Sequence, residues 1–172
     1  MNRDETNAGP INIRQATLQD LTAITDIYND AIVNTTATFD TEPKSSEEQL
    51  TWFNDHRDKY KILVAETDGK VVGWASLNRW SDRCAYADTA ECSLYMEKGH
   101  RSRGIGRKLV TALMDEAKRA GLHTLIVRIT EDNEASIHIC ESFGFRHIGV
   151  MQEVGRKFGQ LQDVRLMQII FR

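Results

Sequence analysis

The chain has 172 residues, 41% of them hydrophobic, and a formal net charge of −3, which predicts a single domain with one sizeable core and argues against a nucleic-acid binder. No apolar run approaches the roughly twenty residues that cross a bilayer, and residues 1–10 are too polar for a secretory signal, so we expect a cytoplasmic protein without a membrane partner. Three cysteines and five histidines without metal-ligand spacing predict reduced thiols and no metal site.

The N-terminal part of the chain is predicted to hold a tail, a strand and a first helix. Residues 1–9 are expected to form a flexible tail, residues 10–172 a single domain, and residues 11–14 the first strand. Thr17 and Asp20 have the spacing of a capping box that opens a helix. The buried face of this helix is expected to carry the apolar residues at helical spacing, which are Leu18, Leu21, Ile24, Ile27 and Tyr28.

A second helix and three antiparallel strands are predicted next. A polar loop at 32–44 precedes another capping box, Ser45 with Glu48, for a helix that runs through Arg57. The dipeptide Asp68-Gly69 favours a two-residue hairpin turn, so the strands beside it should pair antiparallel. The three predicted strands are 62–66, 70–77 and 86–96.

The remaining elements complete a sheet with helices on both faces. A long amphipathic helix at 105–120 should stop at Gly121 and bury Leu109, Val110, Leu113 and Ala117. A strand at 124–130, a helix at 134–143 and a hairpin at 145–171 that turns near Gly159 follow. This order predicts an α/β (α+β) fold, with a mixed, mostly antiparallel seven-stranded sheet flanked by about four helices.

The turn before the long helix, Arg101-Ser-Arg-Gly104-Ile-Gly106, is the most informative motif. Small residues let the backbone approach a ligand, and the N–H groups of a starting helix are unpaired and convergent. Basic side chains crowd the turn, and no carboxylate falls between 98 and 108; the basic residues are Lys98, His100, Arg101, Arg103, Arg107 and Lys108. These features predict a phosphate site, and the alternative is a glycine-rich turn with solvated arginines that binds nothing.

Two common phosphate motifs do not fit this turn. Gly106 is followed by Arg107 and Lys108, whereas the P-loop of nucleotide hydrolases needs Lys and then Ser or Thr. The dinucleotide fingerprint needs a small residue where Leu109 stands, and an acid about twenty residues later that the run 124–129 does not supply.

The motif resembles the pyrophosphate loop of the GNAT superfamily of N-acetyltransferases, and the resemblance extends over nearly the whole chain. Asn133-Glu-Ala-Ser136 and Phe143-Gly-Phe145 follow at the distances that this family shows. The segments 27–29, 89–95 and 154–164 resemble the phosphinothricin and methionine sulfoximine acetyltransferase branch. The resemblance implies acetyl-CoA as cosubstrate, a small amino acid as acceptor and a homodimer.

The resemblance also implies where acetyl-CoA binds. The fourth and fifth strands would splay apart, with the thioester arm between them, so that its amides pair with the backbone near Leu94, Tyr95 and Met96. Asn133 and Ser136 would bond the cofactor or cap their helix. The diphosphate would lie on the turn formed by Arg101, Arg103, Gly104, Ile105, Gly106 and Arg107.

Two residues are candidates for proton transfer. Alternation along the strand 86–96 places Glu91, Ser93 and Tyr95 on one face and Cys92, Leu94 and Met96 on the other. The resemblance assigns Glu91 as general base, and a glutamate on a wetted sheet face is the alternative. Cys140 stands where relatives carry tyrosine or histidine; a thiol, with a pKa of about 8.5, has the acidity to protonate the leaving thiolate, or the residue simply packs.

The substrate site is assigned by resemblance to Arg83 and Tyr86, which would hold the α-carboxylate of an amino acid. Phe39 and Trp80 are candidate apolar walls. Ser81 and Leu161 depart from the pattern of the branch.

The predicted function is N-acetyl transfer to the α-amine of a small amino acid, such as phosphinothricin or methionine sulfoximine or sulfone, by direct attack. The alternatives are a protein or peptide N-terminal acetyltransferase and a non-catalytic acetyl-CoA-binding sensor.

Overall fold

A single sheet runs through most of this protein. The computed structural model describes residues 9–101 and 103–172. Within those ranges the sheet has seven strands, which confirms the predicted number. In chain order they are β1 (Asn12–Gln15), β2 (Ile62–Thr67), β3 (Lys70–Arg79), β4 (Thr89–Met96), β5 (Thr124–Thr130), β6 (Arg146–Lys157) and β7 (Gln160–Ile170).

Four α-helices accompany the sheet in the described part of the chain, as predicted. They are α1 (Leu21–Asn34), α2 (Ser46–Asp55), α3 (Ile105–Arg119) and α4 (Glu134–Ser142). Of the helices at 9–101 and 103–172, none combines the length and the apolar composition that crossing a bilayer requires.

The strand order across the sheet is β1-β2-β3-β4-β5-β7-β6. Among the described strands, β4 and β5 pair parallel and every other neighbouring pair is antiparallel. The predicted mixed, mostly antiparallel sheet is therefore confirmed. Its parallel pair lies in the middle of the sheet, with three strands on one side and two on the other.

Apolar side chains form a core on each face of the sheet. Leu109 and Leu113 of α3 pack on one face together with Leu125, Val127 and Met167. On the other face, helix α1 packs with the strand residues Val64 and Trp74 through Ile24 and Ile27. Side chains that alternate along β4 therefore enter two different environments, as the period of two predicts.

The predicted turns and caps are largely confirmed. Asp68 and Gly69 both have positive φ, at 50° and 74°, as a hairpin turn of this length requires. Ser45 caps α2, because its hydroxyl accepts from the Glu48 N–H and the Glu48 carboxylate accepts from the Ser45 N–H. Gly121 follows α3 with φ of 73°.

The first helix differs from its prediction at both ends. Thr17 and Asp20 cap a short 3-10 turn, Leu18–Asp20, and the α-helix begins after it. Leu18 is 58% exposed, so its assignment to the buried face was wrong. The helix continues to Asn34 because buried Ala31 and Ile32 extend its apolar face beyond Tyr28.

Smaller differences concern exposure and the N-terminus. Val110 is half-buried, because it borders a cavity and not the packed core. The predicted tail lies outside the described residues except for Gly9, whose carbonyl accepts a hydrogen bond from the Thr67 hydroxyl at 3.0 Å.

Candidate active site

The sheet opens between β4 and β5, as the resemblance implied. Pairing runs from Thr89 with Thr124 to Glu91 with Ile126 and does not continue beyond that pair. Strand β5 then pairs along its whole length with β7, while β4 remains paired with β3. One edge of segment 92–96 therefore has no strand partner among the described residues, and its backbone is available to a ligand.

A cavity of about 850 Å³ occupies this opening. Its walls come from both sides of the gap and from both faces of the sheet, so it connects the edge of β4 with the loop after α1. Glu91, Leu94, Tyr95, Asn133, Ser136 and Cys140 all line it, together with Phe39.

The N-terminus of α3 has the features of an anion site. Gly104 adopts φ of 76° and is exposed, and its carbonyl accepts from the Lys108 N–H at 3.2 Å. No side chain among the described residues caps this end, which leaves the first N–H groups of the helix, from Ile105 to Arg107, for another acceptor. Ser102 lies outside the described residues. Exposed Arg101 and Arg103 add positive charge.

The side chain of Arg107 has a different contact from the one its motif implies. Its Nη1 donates to the Ser142 hydroxyl at 2.7 Å, and its guanidinium carbon lies 5.1 Å from the centre of the Phe143 ring. This contact ties α3 to the end of α4. At this position the backbone N–H therefore remains available to an anion, together with the guanidinium donors that Ser142 does not engage.

Asn133 and Ser136 take up the capping arrangement at the start of α4. The Asn133 side-chain oxygen accepts from the Ser136 N–H at 3.3 Å. Both residues also border the cavity, so a cap and a ligand contact are compatible at this helix end.

Glu91 lies at the point where β4 and β5 separate. Its side chain is 16% exposed, and both carboxylate oxygens accept from Arg128 of β5, at 2.5 Å from Nε and 2.6 Å from Nη2. These hydrogen bonds raise the pKa of Arg128, so the guanidinium stays charged. The position in the cavity agrees with the predicted face of β4, and the role of Glu91 as base stays a prediction.

Cys140 lines the cavity from α4 but is packed into the core with Phe145 and Leu109. Burial raises the pKa of its thiol to about 12, with a smaller contribution from Glu141. Burial also raises the pKa of the neighbouring Cys92. A thiol this weakly acidic is a poor proton donor, which favours the packing alternative.

Arg83 and Tyr86 are not brought into the cavity. Arg83 directly precedes the short turn Cys84–Tyr86 before β4, and Tyr86 is the last residue of that turn. Both side chains are exposed, and neither lines the cavity. Phe39, in contrast, lines the cavity and packs against Gly155 of β6, where an added Cβ would lie 2.3 Å from the Phe39 ring. The carboxylate-holding role of Arg83 and Tyr86 stays a prediction.

Several residues of the cavity were missed from the sequence. Arg128 had a signal, because it is the one charge within the apolar run 125–130 of β5. Trp52 and Trp74 were also missed; they form a cluster with Tyr28 and Tyr95, which the sequence analysis had named, with ring centres 4.9 to 5.8 Å apart. Burial keeps the pKa of Tyr28 above its ordinary value and raises that of Tyr95 to about 12.

Two separate groups of hydrogen-bonded polar side chains contribute to the cavity wall beside this cluster. His56 Nε2 and Asn78 Oδ1 are 2.9 Å apart, and the Asn78 amide donates to the Ser93 hydroxyl at 3.0 Å. Tyr28 hydrogen-bonds to Asp40 and lies 3.0 Å from the Thr38 hydroxyl. Within the described residues, no three His, Cys, Asp or Glu side chains are grouped to hold a metal ion.

Comparison with known proteins identifies the family. The sequence pattern of the Acetyltransferase (GNAT) family matches residues 23–145, which is more than half of the chain. The chain belongs to the GNAT acetyltransferases. This GNAT protein is 36% identical to the L-amino acid N-acyltransferase MnaT of Escherichia coli, over 92% of this chain and 93% of that protein. It is 37% identical to the L-methionine sulfoximine/L-methionine sulfone acetyltransferase of Salmonella typhimurium, over 91% and 92%.

The solved structure of one similar protein contains acetyl-CoA. The phosphinothricin acetyltransferase of Sinorhizobium meliloti, crystallised in complex with acetyl-CoA, superposes with a TM-score of 0.90 at 30% identity, over 93% of this chain and 88% of that one. The present GNAT protein is accordingly an acyl-CoA-dependent N-acetyltransferase. Its unpaired β4 edge and uncapped α3 terminus fit the amides and the diphosphate of such a cofactor.

Proposed function

We propose that this enzyme transfers acetyl from acetyl-CoA to the α-amine of a small amino acid. The observation that carries the proposal is the position of the Glu91 carboxylate in the cavity, where β4 and β5 separate. The free edge of β4 would hold the thioester arm, and the uncapped N–H groups of α3 the diphosphate. The cytosolic location and the homodimer stay predictions.

Glu91 would act as the general base. An amino acid arrives with its amine protonated, and a carboxylate attracts the ammonium before it accepts the proton, directly or through a water molecule. The free amine can then attack the acetyl carbon, so that the C–N bond forms as the C–S bond breaks. The nitrogen loses its second proton to solvent, and the departing thiolate takes up a proton from solvent. The reaction needs no acyl-enzyme, and Glu91 would release its proton to solvent afterwards.

Phosphinothricin and methionine sulfoximine or sulfone are the leading acceptors, because the relatives named above carry these activities in their names. The aromatic cluster supports an acceptor with a compact, partly apolar side chain.

The test is free-thiol release with acetyl-CoA and a panel of amino acids, followed by the Glu91→Gln variant. We expect turnover with at least one of these acceptors. Glu91→Gln should lower kcat/KM about 100-fold or more at neutral pH, because a positioned base contributes on that order. The deficit should shrink at alkaline pH, where the free amine needs no base.

The matched control is Glu131→Gln, which breaks a similar ion pair, Glu131 with Arg165 at 2.7 Å, outside the cavity. It should leave turnover unchanged. Inactivity on the whole panel, with acetylation of peptide N-termini instead, would replace the proposed acceptor by a peptide.

A further inference from the structure

The guanidinium of Arg128 lies in the cavity beside Glu91 and uses only one of its edges. Nε and Nη2 donate side-on to the two carboxylate oxygens. Nη1 makes no hydrogen bond with any described residue, and the side chain of Arg128 is 53% exposed against 16% for Glu91. The outer edge of the guanidinium therefore faces open space, and a second carboxylate can bind there end-on.

The charges of the cavity single out this residue. Among the described residues that line it, the cations are Lys44 and Arg128. Lys44 Nζ lies 3.4 Å from the Asp40 carboxylate and belongs to the loop after α1, whereas Arg128 touches Glu91. Arg83 does not line the cavity. An anionic group next to the proposed base would therefore meet Arg128 first.

The surroundings hold the plane of the guanidinium. Arg128 stands in the interior of β5, where its backbone is paired with Leu166 of β7. Its guanidinium carbon lies 5.8 Å from the centre of the Trp80 ring. A strand in the middle of the sheet and an aromatic neighbour reduce the freedom of the side chain, so its hydrogen-bonding directions are set before a ligand arrives.

We propose that Arg128 is a substrate-binding residue that receives the α-carboxylate of the acceptor on its outer edge while its inner edge positions Glu91. In an amino acid the carboxylate and the amine are attached to the same carbon, so the first contact brings the amine beside Glu91. The bound zwitterion thus lies against the ion pair of Glu91 and Arg128, with its carboxylate at Arg128 and its ammonium at Glu91. The inference rests on the proposed function and gives it a specificity: the enzyme selects a free α-carboxylate.

The experiment compares two acceptors, L-methionine sulfone and its α-carboxamide, in the wild type and in Arg128→Gln. The wild type should prefer the free acid, and the ratio of the two kcat/KM values should fall at least about tenfold in the variant, as expected for a lost charged hydrogen-bonding partner. Because both acceptors are measured on each enzyme, a general effect on Glu91 cancels in the ratio. Arg128→Lys, which keeps the charge and loses the planar edge, should give an intermediate ratio.

Two further variants complete the design. Arg165→Gln removes the arginine of the ion pair outside the cavity and should leave the ratio unchanged. Arg83→Gln tests the rival carboxylate holder. A ratio that falls in Arg83→Gln and not in Arg128→Gln overturns the inference, and so does a variant of Arg128 that slows both acceptors equally.

Failure of the proposed function has a different signature. If the wild type acetylates no amino acid, both the function and the inference fall. If it acetylates methionine sulfone, and the ratio of the two kcat/KM values is unchanged in Arg128→Gln and Arg128→Lys, only the inference falls. Thermal unfolding and coenzyme A titration of each variant confirm that it is folded and that its cofactor site is intact.

Discussion

At the level of single residues, Cys140 lies in the cavity, where a proton donor would be placed, but its buried thiol is only weakly acidic. Its thiol is buried with a pKa of about 12. A leaving thiolate with an ordinary pKa of about 8.5 would have to take a proton from a group about 3.5 units weaker as an acid, which costs about 5 kcal/mol. Protonation of the leaving thiolate by solvent avoids this cost, since the cavity is open.

Cys140→Ala therefore should not remove catalysis. We expect kcat to fall less than about tenfold, whereas loss of a general acid costs on the order of 100-fold or more. The melting temperature should drop, because the substitution leaves a small void beside Phe145 and Leu109. Steady-state kinetics with calorimetry would separate these effects, with exposed Cys84→Ala as the reference. A large fall in kcat at unchanged stability would restore the donor role.

Glu91 and Arg128 illustrate how far residue patterns reach. Strand alternation correctly put Glu91 on the face opposite Cys92, because that depends only on the period of a strand. The bidentate contact with Arg128 depends on β4 and β5 being neighbours with a given register, and the two residues are 37 positions apart. No local pattern encodes that distance. A lone charge in an apolar strand was the available signal.

Among the elements, α3 offers an internal comparison because a glycine with positive φ lies at each end. Gly104 precedes the helix with φ of 76° and Gly121 follows it with φ of 73°, and a Cβ added at either glycine would meet no atom within 4 Å. Alanine at either site meets the same backbone strain, about 1 kcal/mol. The two ends differ in what they face, since free N–H groups are at the first end.

Gly104→Ala and Gly121→Ala should therefore lower the melting temperature similarly and differ in cofactor binding. Calorimetry with coenzyme A should give a dissociation constant at least about tenfold weaker for Gly104→Ala, because strain at the turn displaces charge-assisted N–H donors. Gly121→Ala should bind as the wild type does. Equal affinities of the two variants for coenzyme A would mean that the diphosphate does not bind at this turn.

The boundaries of elements were predictable where a side chain terminates them and less so elsewhere. Ser45 with Glu48 and Asp68 with Gly69 fixed a helix start and a turn because their effects are local. The cap at Thr17 instead begins a 3-10 turn, in which Leu18 is exposed. The separation of β4 from β5 was implied by family resemblance alone, since it depends on where the pairing of two strands distant in the sequence stops.

For the molecule as a whole, the cavity depends on contacts that keep the outer strands and the first helix together. Arg14 of β1 donates to Asp20 at 2.7 Å and to Glu66 of β2 at 2.7 Å, and so links two strands to the start of α1. Helix α1 in turn carries Tyr28 to the cavity. Asp20 is only 6% exposed, and its hydrogen bond with Arg14 lowers its pKa.

This network should make stability depend on pH in the acid range. A carboxyl whose pKa is lower in the folded state stabilises the protein fully above its unfolded value of about 3.9 and loses that contribution as the pH falls through its folded value. Asp20→Asn should lower the free energy of unfolding by about 1 to 3 kcal/mol at neutral pH, since Arg14 loses a buried partner. The difference from wild type should narrow below about pH 4, where protonation removes the same charge from the wild type.

Urea unfolding of both proteins at neutral pH and at about pH 3 measures the two differences. Asp82→Asn is the control, because Asp82 pairs with Arg79 at 3.3 Å but its side chain is 95% exposed. An exposed pair of this kind contributes about 0 to 1 kcal/mol, so little change is expected. A difference for Asp20→Asn that stays constant with pH would mean that the loss comes from altered packing, because Asp20 is the one carboxyl group that the two proteins do not share.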